Sequence, residues 1–422
     1  MIDGGRPLSG TVRAAGNKNG ALPILAATIL ASEPIALENV PRIRDVETMV
    51  ELLAHTGADA EWTGRNEVRV DAANVNTWEL DPELCRQIRA SFLLAGPLLA
   101  RFGRATVPPP GGDVIGRRRL DTHIHAFAEL GVEVEVDGAY EMRTDRLTGT
   151  RMYLDEASVM GTENAVMASV LASGETIVGH AACEPHIQDL CRFLVSLGAQ
   201  IDGIGSNVLR ITGVDRLCGS SYRIGPDHIE VASFAGLAAV TGGEVTIEDV
   251  RADDLISIVP AFRKLGIELH VSDSAVTVPA GQDLHIEDDL GGQIPKIESG
   301  IWPAFPADLT SIAVTVATQA RGTVLVFEKM FESRLFFVDK LVAMGARIIL
   351  CDPHRVVVTG PTRLLGERLE SPDIRAGMAM VIAALSAEGT STIGNIGQID
   401  RGYEQIDERL RGLGASIERA DL

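Results

Sequence analysis

The 422-residue sequence predicts a mixed α/β fold, of the α+β kind, in which one structural unit is repeated six times. Two patterns that recur along the whole chain predict this fold. One is a glycine corner that ends a helix, and the other is a helix made almost entirely of small apolar residues. The two patterns alternate in a constant order, which identifies them as parts of a single repeating unit.

The glycine corner follows an amphipathic helix in each unit. Successive corner glycines are 74, 67, 68, 79 and 69 residues apart, and glycine at such a position fits the left-handed conformation that ends a helix. After each corner, apolar and polar residues alternate over two short segments, as in AEWTGRNEVRV, which is typical of two strands joined by a turn. The six corner glycines are Gly57, Gly131, Gly198, Gly266, Gly345 and Gly414.

The small-residue helix also recurs in each unit. A helix that is apolar around its whole circumference is buried on all sides. A strand such as ETIVGHA and the amphipathic helix then lead to the next corner, so the unit is βαβαββ. The six inner helices are predicted in ALPILAATILAS, ASFLLAGPLLARFG, ENAVMASVLASG, VASFAGLAAVTGG, LTSIAVTVATQARG and AGMAMVIAALSAEG.

Six units divide most simply into two domains of three units, each built around three inner helices. The break is expected near residues 223–227. The first domain is predicted to span residues 14–224 and to carry a loop at residues 107–121. The second is predicted to combine residues 1–13 with residues 225–422, because its last unit otherwise lacks a neighbour for its opening strand.

Composition excludes several classes of function. The net charge of −20 argues against nucleic acid or an anionic membrane as a partner, so an anionic substrate must meet a local cationic cluster. The five cysteines show no CxxC spacing, which indicates reduced thiols in a cytoplasmic protein without a disulfide framework or metal site. No leader sequence or apolar run of membrane-spanning length is expected.

Charged and polar side chains stand at or just before the starts of the inner helices. A cation there opposes the helix dipole at a cost of about 0.3–1 kcal/mol, which favours a bound anion as the compensating partner. For Asp308 alone, an ordinary N-cap role is the alternative. The residues at these helix starts are Lys18, Asn19, Arg89, Thr162, Glu163, Glu230, Asp308 and Arg375.

Three loops carry arginines at equivalent places in different units. One is VPPPGGDVIGRRRLDTHIH, whose prolines and glycines exclude a helix, and whose Asp113 and three consecutive arginines suit closure over an anion. The others contain Glu332 with Arg334 and Asp400 with Arg401. A plain solvated surface loop remains the alternative for each of them.

Seven segments at full-length spacing resemble the UDP-N-acetylglucosamine 1-carboxyvinyltransferase family of the enolpyruvyl transferase superfamily. The resemblance implies a two-domain inside-out α/β barrel with three βαβαββ units in each domain. It also implies transfer of the enolpyruvyl group of phosphoenolpyruvate to the 3-hydroxyl of UDP-N-acetylglucosamine with release of phosphate. The segments are GNKNGALPIL, QIRASFLLAGPLLARFG, PGGDVIGRRRLDTH, FPADL, FESRLF, DIRAG and IDRGYE.

The resemblance also implies roles for individual residues, without cofactor or metal. The catalytic set is Asp113, Asp308, Lys18 and Arg401. The phosphoenolpyruvate set is Lys18, Asn19, Arg118, Arg334, Arg375 and Arg401. The UDP-N-acetylglucosamine set is Asn19, Arg89, Arg118, Arg119, Leu120, Asp121, Thr122, Ser158, Val159, Gly161, Thr162, Asp308 and Met330.

The same resemblance places the protein at the first committed step of peptidoglycan precursor synthesis. The implied setting is the cytoplasm, with roles in cell wall formation, cell shape, cell cycle and cell division. The implied quaternary state is a monomer or weak homo-oligomer that meets only its small-molecule substrates.

Asp113 departs from the family pattern, because a cysteine usually fills that position. We therefore expect resistance to fosfomycin, an epoxide that alkylates the usual cysteine. Arg119 and Ala307 also depart from the pattern, at a usual proline and a usual hydroxyl residue. These two departures leave open an enolpyruvyl transferase with another nucleotide acceptor. A separate alternative is a non-catalytic paralogue that binds a nucleotide sugar, although retention of the whole charged set argues against it.

Overall fold

Two separate apolar cores organise the chain in the computed structural model, which describes residues 1–112, 116 and 119–420. One core belongs to a unit formed by residues 16–112 and 119–225, which we call the inserted unit. The other belongs to a unit formed by residues 1–15 and 226–420, which we call the terminal unit. Each unit contains three repeats of the predicted secondary structure.

The inner helices lie where the small-residue segments predict them, and nearly all of their residues are buried. In the terminal unit the three inner helices pack against one another. In the inserted unit the second inner helix begins as a 3-10 helix, and this segment packs on the first and third inner helices. Their bounds are Lys18–Ala27, Arg89–Leu94 continuing into Ala95–Phe102, Val159–Ser169, His228–Thr241, Thr310–Ala317 and Ile374–Ser386.

The outer helices are amphipathic, and each ends two residues before a corner glycine. All six glycines have positive φ, between 80° and 106°, which confirms the predicted left-handed corners. The outer helices are Arg44–His55, Asp121–Glu129, Pro185–Ser196, Ile258–Lys264, Val338–Ala343 and Ile406–Gly412. Shorter helical segments are Thr28–Leu30, Pro82–Gln87, Ala252–Leu255, Ala307–Leu309 and Ile396–Arg401.

Three sheets belong to the inserted unit, and neighbouring strands in each sequence below are hydrogen-bonded to one another. The first is Ser221–Arg223, Ile35–Glu38, Glu67–Asp71 and Asp59–Gly64. The second is Arg104–Val107, Tyr140–Arg143 and Glu133–Val136. The third is Gln200–Asp202, Val208–Thr212, Glu175–Gly179 and Arg151–Tyr153.

The terminal unit also has three sheets. The first is His270–Val271, Ala275–Val278, Val245–Glu248 and Gly10–Arg13. The second is Lys296–Glu298, Gly322–Phe327, Arg355–Gly360 and Arg347–Asp352. The third is Arg368–Glu370, Thr390–Gly394, Ile2–Asp3 and Ser416–Ile417.

The sheets repeat one pattern, in which an opening strand runs parallel to its neighbour and two antiparallel strands follow. In the sixth repeat the first of these two is strand 2–3, so the amino-terminal segment completes the end of that sheet and not its opening pair. Strand 10–13 opens the fourth repeat beside strand 245–248, and strand 221–223 opens the first repeat beside strand 35–38. In the second repeat the opening strand is reduced to a single parallel bridge between Glu79 and Thr106. The mixed α/β architecture with six repeats is therefore confirmed, with this one strand shortened.

Over the described ranges, no helix is both long and apolar enough to cross a membrane.

Candidate functional site

Lys18 opens the first inner helix of the inserted unit, directly after its N-cap residue Asn17. Its Nζ atom lies 2.7 Å from Oδ2 of Asp45, and the two side chains are only 9% and 7% exposed. Asp45 lies near the start of the amphipathic helix 44–55. A carboxylate of the chain itself therefore offsets the unfavourable position of this cation at a helix start, so that position alone does not require a bound anion.

Replacing Asp45 by asparagine is expected to lower the free energy of unfolding by about 3–5 kcal/mol, because the Lys18 ammonium then stays buried without its counter-charge. Denaturant-induced unfolding measures this loss. The matched control is Glu133→Gln, which removes one partner of the exposed pair between Glu133 and Arg143. The control is expected to change stability far less, because water screens an exposed ion pair. Equal losses in both variants would contradict the assigned strength of the buried pair.

Arg89 and the residues after the loop form a second polar group in the inserted unit. Nη2 of Arg89 donates to the carbonyl of Arg119 at 3.4 Å. The guanidinium of Arg119 lies 3.8 Å from Asp121 and 3.6 Å from Asp155. Arg89 thus meets a backbone dipole, whereas the exposed Arg119 side chain lies near two carboxylates.

Leu120 and Thr122 are buried beside this group. The Thr122 hydroxyl donates to Oδ1 of Asp155 at 2.7 Å, and this bond contributes most to holding the pKa of Asp155 below its usual value. Asp113 and Arg118, which the sequence places in the site, lie outside the described residues.

Ser158 to Thr162 form the N-terminal turn of the third inner helix. Ser158 is the N-cap residue, and its Oγ accepts from the amide of Gly161 at 3.2 Å. A Cβ atom at Gly161 would stand 2.9 Å from Cγ2 of Thr122, so glycine permits the close approach of these two segments. The Thr162 hydroxyl accepts a hydrogen bond from the amide of Ala182 at 2.9 Å, and this bond joins the helix to the segment after strand 175–179. Thr122, Ser158 and Gly161 are therefore brought together.

Asp308 occupies the centre of a charged cluster in the terminal unit. Its Oδ1 accepts from Nη2 of Arg334 at 2.9 Å, and its Oδ2 accepts from Nε of Arg375 at 3.2 Å. Both arginine side chains are buried, at 4% and 6% exposure, whereas Asp308 is 26% exposed. We refer to these three residues as the arginine pair with its bridging aspartate. The cluster has a formal charge of +1 and presents its carboxylate toward solvent.

The N-cap alternative for Asp308 is wrong. Asp308 lies inside the 3-10 helix Ala307–Leu309, whose N-cap residue is Pro306, and the following inner helix has Leu309 as its N-cap residue. Neither N-cap forms a side-chain cap bond. The two arginine partners come from the segment before helix 338–343 and from the start of helix 374–386.

Arg375 is held from two sides. Besides Asp308, its Nη1 donates to the hydroxyl of Tyr403 at 3.2 Å. Burial opposes the charge of Arg375, but Asp308, Tyr403 and Asp227 outweigh that effect and raise its pKa above the usual value. Arg334 rests over the ring of Phe331 at 5.2 Å, and its buried Nε has no hydrogen-bond partner within the described structure. That N–H group is available to a further acceptor.

Three other predicted residues are more exposed than the arginine pair. Arg401 ends the 3-10 helix 396–401, is partly buried, and donates from Nη1 to Gln398 at 2.8 Å. Met330 is exposed, and its amide donates to the buried carboxylate of Glu328 at 2.7 Å. Asn19 is partly buried in the first turn of helix 18–27, beside Lys18. Among the residues that the structure describes, no cluster of three or more histidine, cysteine, aspartate or glutamate side chains forms a metal-binding group.

The sequence analysis did not identify three residues whose side chains bond to residues of these polar groups or to their neighbours. Asp45 pairs with Lys18, and Tyr403 binds Arg375. Asn164 accepts from the amide of Gly96 at 2.9 Å and lies 2.9 Å from Nδ1 of His123. Burial lowers the pKa of that histidine to about 3, with the Arg89 charge adding to the effect, so the ring is neutral. A polar residue on the buried side of a helix is the signal that would have drawn attention to Asp45 and Asn164.

The sequence profile of the EPSP synthase (3-phosphoshikimate 1-carboxyvinyltransferase) family matches residues 2–410. The chain is 57% identical over 419 residues to the UDP-N-acetylglucosamine 1-carboxyvinyltransferase of Bradyrhizobium diazoefficiens, covering 99% of this chain and 97% of that protein. It is 54% identical over 418 residues to the enzyme of the same name from Treponema denticola, covering 99% and 98%.

Solved structures agree with these relatives. The enolpyruvyl transferase NikO from Streptomyces tendae matches with a TM-score of 0.88 and 25% identity, over 98% of this chain and 97% of that chain. The EPSP synthase from Acinetobacter baumannii matches with a TM-score of 0.75 and 16% identity over the same shares of the two chains, which shows a common fold.

Proposed function

The chain belongs to the UDP-N-acetylglucosamine 1-carboxyvinyltransferases of the EPSP synthase family, and from this premise we propose that it catalyses their reaction. It transfers the enolpyruvyl group of phosphoenolpyruvate to the 3-hydroxyl of UDP-N-acetylglucosamine and releases phosphate. The arginine pair with its bridging aspartate carries the proposal, because it combines two buried cations for a carboxylate with an accessible carboxylate that can accept a proton.

Phosphoenolpyruvate carries a carboxylate and a phosphate, and each needs its own cations. Arg334 and Arg375 bind the carboxylate, and the free Nε group of Arg334 supports this assignment. Lys18, Arg118 and Arg401 bind the phosphate, with Asn19 beside Lys18. The buried pairing of Lys18 with Asp45 supports a preorganised ammonium for this role.

The reaction is an addition followed by an elimination. In the addition, Asp308 takes the proton of the sugar hydroxyl, whose oxygen bonds to C2 while C3 gains a proton from Asp113. C2 acquires cationic character as this occurs, and the arginines neutralise the substrate's anionic groups in a site that excludes water. In the elimination, C3 returns a proton to Asp113, the C2–C3 double bond re-forms, and phosphate leaves from C2 and takes up the proton that Asp308 removed from the sugar hydroxyl.

The contacts of the nucleotide sugar are part of the same proposal. The first-turn amides of helix Val159–Ser169 hold the diphosphate, since a helix N-terminus suits an anion and Gly161 leaves its backbone accessible. Thr162 closes this turn, because its amide donates to the carbonyl of Ser158 at 2.9 Å, and its hydroxyl, which accepts from Ala182, keeps its own hydrogen to donate. The other proposed contacts are Arg118, Arg119, Leu120, Asp121 and Thr122 at the uridine, with Asn19, Arg89, Asp308 and Met330.

In the cell this reaction is the first committed step of peptidoglycan precursor synthesis. We place it in the cytoplasm, where its two substrates are small molecules, and link it to cell wall formation, cell shape, cell division and the cell cycle. The protein acts as a monomer or weak homo-oligomer.

Phosphate release tests the proposal. Purified protein with phosphoenolpyruvate and UDP-N-acetylglucosamine is expected to release one phosphate per enolpyruvyl-sugar formed. UMP and other nucleotide sugars serve as alternative acceptors, because Arg119 and Ala307 depart from the family pattern. Faster release with one of these would identify a different acceptor. Calorimetric binding of UDP-N-acetylglucosamine without phosphate release would identify a non-catalytic paralogue.

A further inference from the structure

Tyr403 is a fully buried phenol in the terminal unit, with 1% of its surface exposed. Its hydroxyl oxygen lies 3.2 Å from Nη1 of Arg375 and 3.1 Å from Oγ of Ser233. The guanidinium carbon of Arg375 stands 5.5 Å from the centre of the tyrosine ring. Tyr403 follows Arg401 by two residues, so one short segment contributes to the surroundings of two arginines proposed to bind substrate.

The directions of these hydrogen bonds follow from the donors available. Ser233 donates its single hydroxyl hydrogen to the carbonyl of Ile229 at 2.8 Å. The phenol hydrogen of Tyr403 is therefore the one that bonds to Ser233, and a lone pair of the phenol accepts from Arg375. Burial raises the pKa of Tyr403, which keeps the phenol neutral and preserves this pattern.

The guanidinium of Arg375 is consequently fixed on two edges. Nε and Nη2 lie 3.2 and 3.1 Å from Oδ2 of Asp308, while Nη1 meets Tyr403. Removal of the phenol oxygen leaves Nη1 without this acceptor and allows the planar group to rotate away from Asp308. Tyr403 does not need to contact a substrate to have this effect.

The segment 401–403 also packs on the helix start that carries Arg375. A Cβ atom at Gly402 would stand 2.3 Å from Cγ2 of Ile374, so only glycine allows this approach. Two contacts thus join the neighbours of Arg401 to the start of helix 374–386: Gly402 on Ile374, and Tyr403 on Arg375.

We propose that Tyr403 is a positioning residue that holds the guanidinium group of Arg375 in a fixed position relative to that of Arg401. The two guanidinium groups then bind the carboxylate and the phosphate of one small substrate at a fixed separation. This inference rests on the proposed function, because that function assigns the two anions to these arginines. It predicts that removal of the phenol oxygen lowers kcat/KM for phosphoenolpyruvate and leaves the KM for the nucleotide sugar unchanged.

The test uses Tyr403→Phe, which keeps the ring and removes only the oxygen. With UDP-N-acetylglucosamine saturating, kcat/KM for phosphoenolpyruvate is expected to fall about 10-fold or more, the usual effect of losing a hydrogen bond to a charged group. The KM for UDP-N-acetylglucosamine is expected to stay unchanged. The matched control is Ser233→Ala, which removes the other buried hydroxyl bonded to the phenol but does not touch Arg375. Equal losses of kcat/KM in the two variants would show a merely structural role and overturn the inference.

A double-mutant cycle with Arg375→Lys separates positioning through Arg375 from other effects. Lysine has no group equivalent to Nη1, so Tyr403→Phe is expected to cost nothing further in that background. Additive losses would overturn the inference, as would an unchanged kcat/KM in Tyr403→Phe alone. Thermal unfolding of all variants identifies any loss that reflects folding.

A failure of the proposed function is distinguishable from a failure of this inference. If the wild-type protein releases no phosphate with any acceptor, the proposed function fails. The same cycle is then measured as calorimetric affinity for phosphoenolpyruvate, and coupling between Tyr403 and Arg375 supports the positioning role. Additive effects on that affinity, or a wild-type protein that does not bind phosphoenolpyruvate, contradict it.

Discussion

Asp308→Asn is expected to lower the turnover number for phosphate release by about 100- to 10,000-fold, the range for loss of a general base. Asparagine has the size of aspartate but cannot accept the proton of the sugar hydroxyl. The same variant is expected to bind phosphoenolpyruvate more tightly. Asp308 is the resident counter-ion of two buried guanidinium groups, and an incoming carboxylate has to compete with it.

Two measurements check this prediction: single-turnover phosphate release and calorimetric binding of phosphoenolpyruvate. The control variant is Asp283→Asn, which removes an exposed carboxylate that pairs with Arg321 in the same unit. The control is expected to change neither quantity. Weaker binding in Asp308→Asn would show that its carboxylate does not compete with substrate. Full turnover would show that Asp308 is not the base.

Asp113→Cys is expected to convert a fosfomycin-resistant enzyme into one that fosfomycin inactivates irreversibly. A carboxylate is a much poorer nucleophile toward the epoxide than a thiolate is. The thiol also has a pKa of about 8.5 against about 3.9 for an aspartate, so aspartate donates a proton near neutral pH only when its surroundings raise that pKa. Closure of the loop beside bound phosphates would raise it through desolvation and like charge.

Residual activity after incubation with fosfomycin measures this change, and intact mass detects one covalent adduct on the cysteine variant. Asp113→Asn is the matched control, since it supplies neither a nucleophile nor a proton and is expected to depress turnover while staying resistant. Rapid irreversible inactivation of the wild-type protein would contradict the prediction. Full activity in Asp113→Asn would show that this residue is not a proton donor.

The repeated architecture was predictable from sequence because each repeat carries its own local signal. The corner glycines adopt the left-handed conformation that their spacing predicts, and the small-residue segments form buried helices. The shortened opening strand of the second repeat was not predictable. Its single bridge between Glu79 and Thr106 depends on how two distant segments pair, and the local residue pattern does not predict how long that pairing is.

The partners of the charged residues were the part of the site that the sequence predicted least well. Asp308 before an apolar helix has the same local sequence whether it caps that helix or pairs with arginines. Its two partners lie 26 and 67 residues away along the chain, beyond the reach of periodicity. The expectation that cations at helix starts need a bound anion failed to consider such internal carboxylates. Only the resemblance to a known family favoured catalysis over capping.

The strand order has a consequence for biosynthesis. Strands 2–3 and 10–13 are synthesised before their hydrogen-bonding partners, which lie at residues 390–394, 416–417 and 245–248. All paired strands of the inserted unit fall between residues 35 and 223, so that unit can mature while translation continues. Strand 10–13 stays unpaired until residues 245–248 are synthesised, and strand 2–3 stays unpaired until residues 390–417 are. Loop closure around strand 2–3 is therefore a late and entropically expensive event.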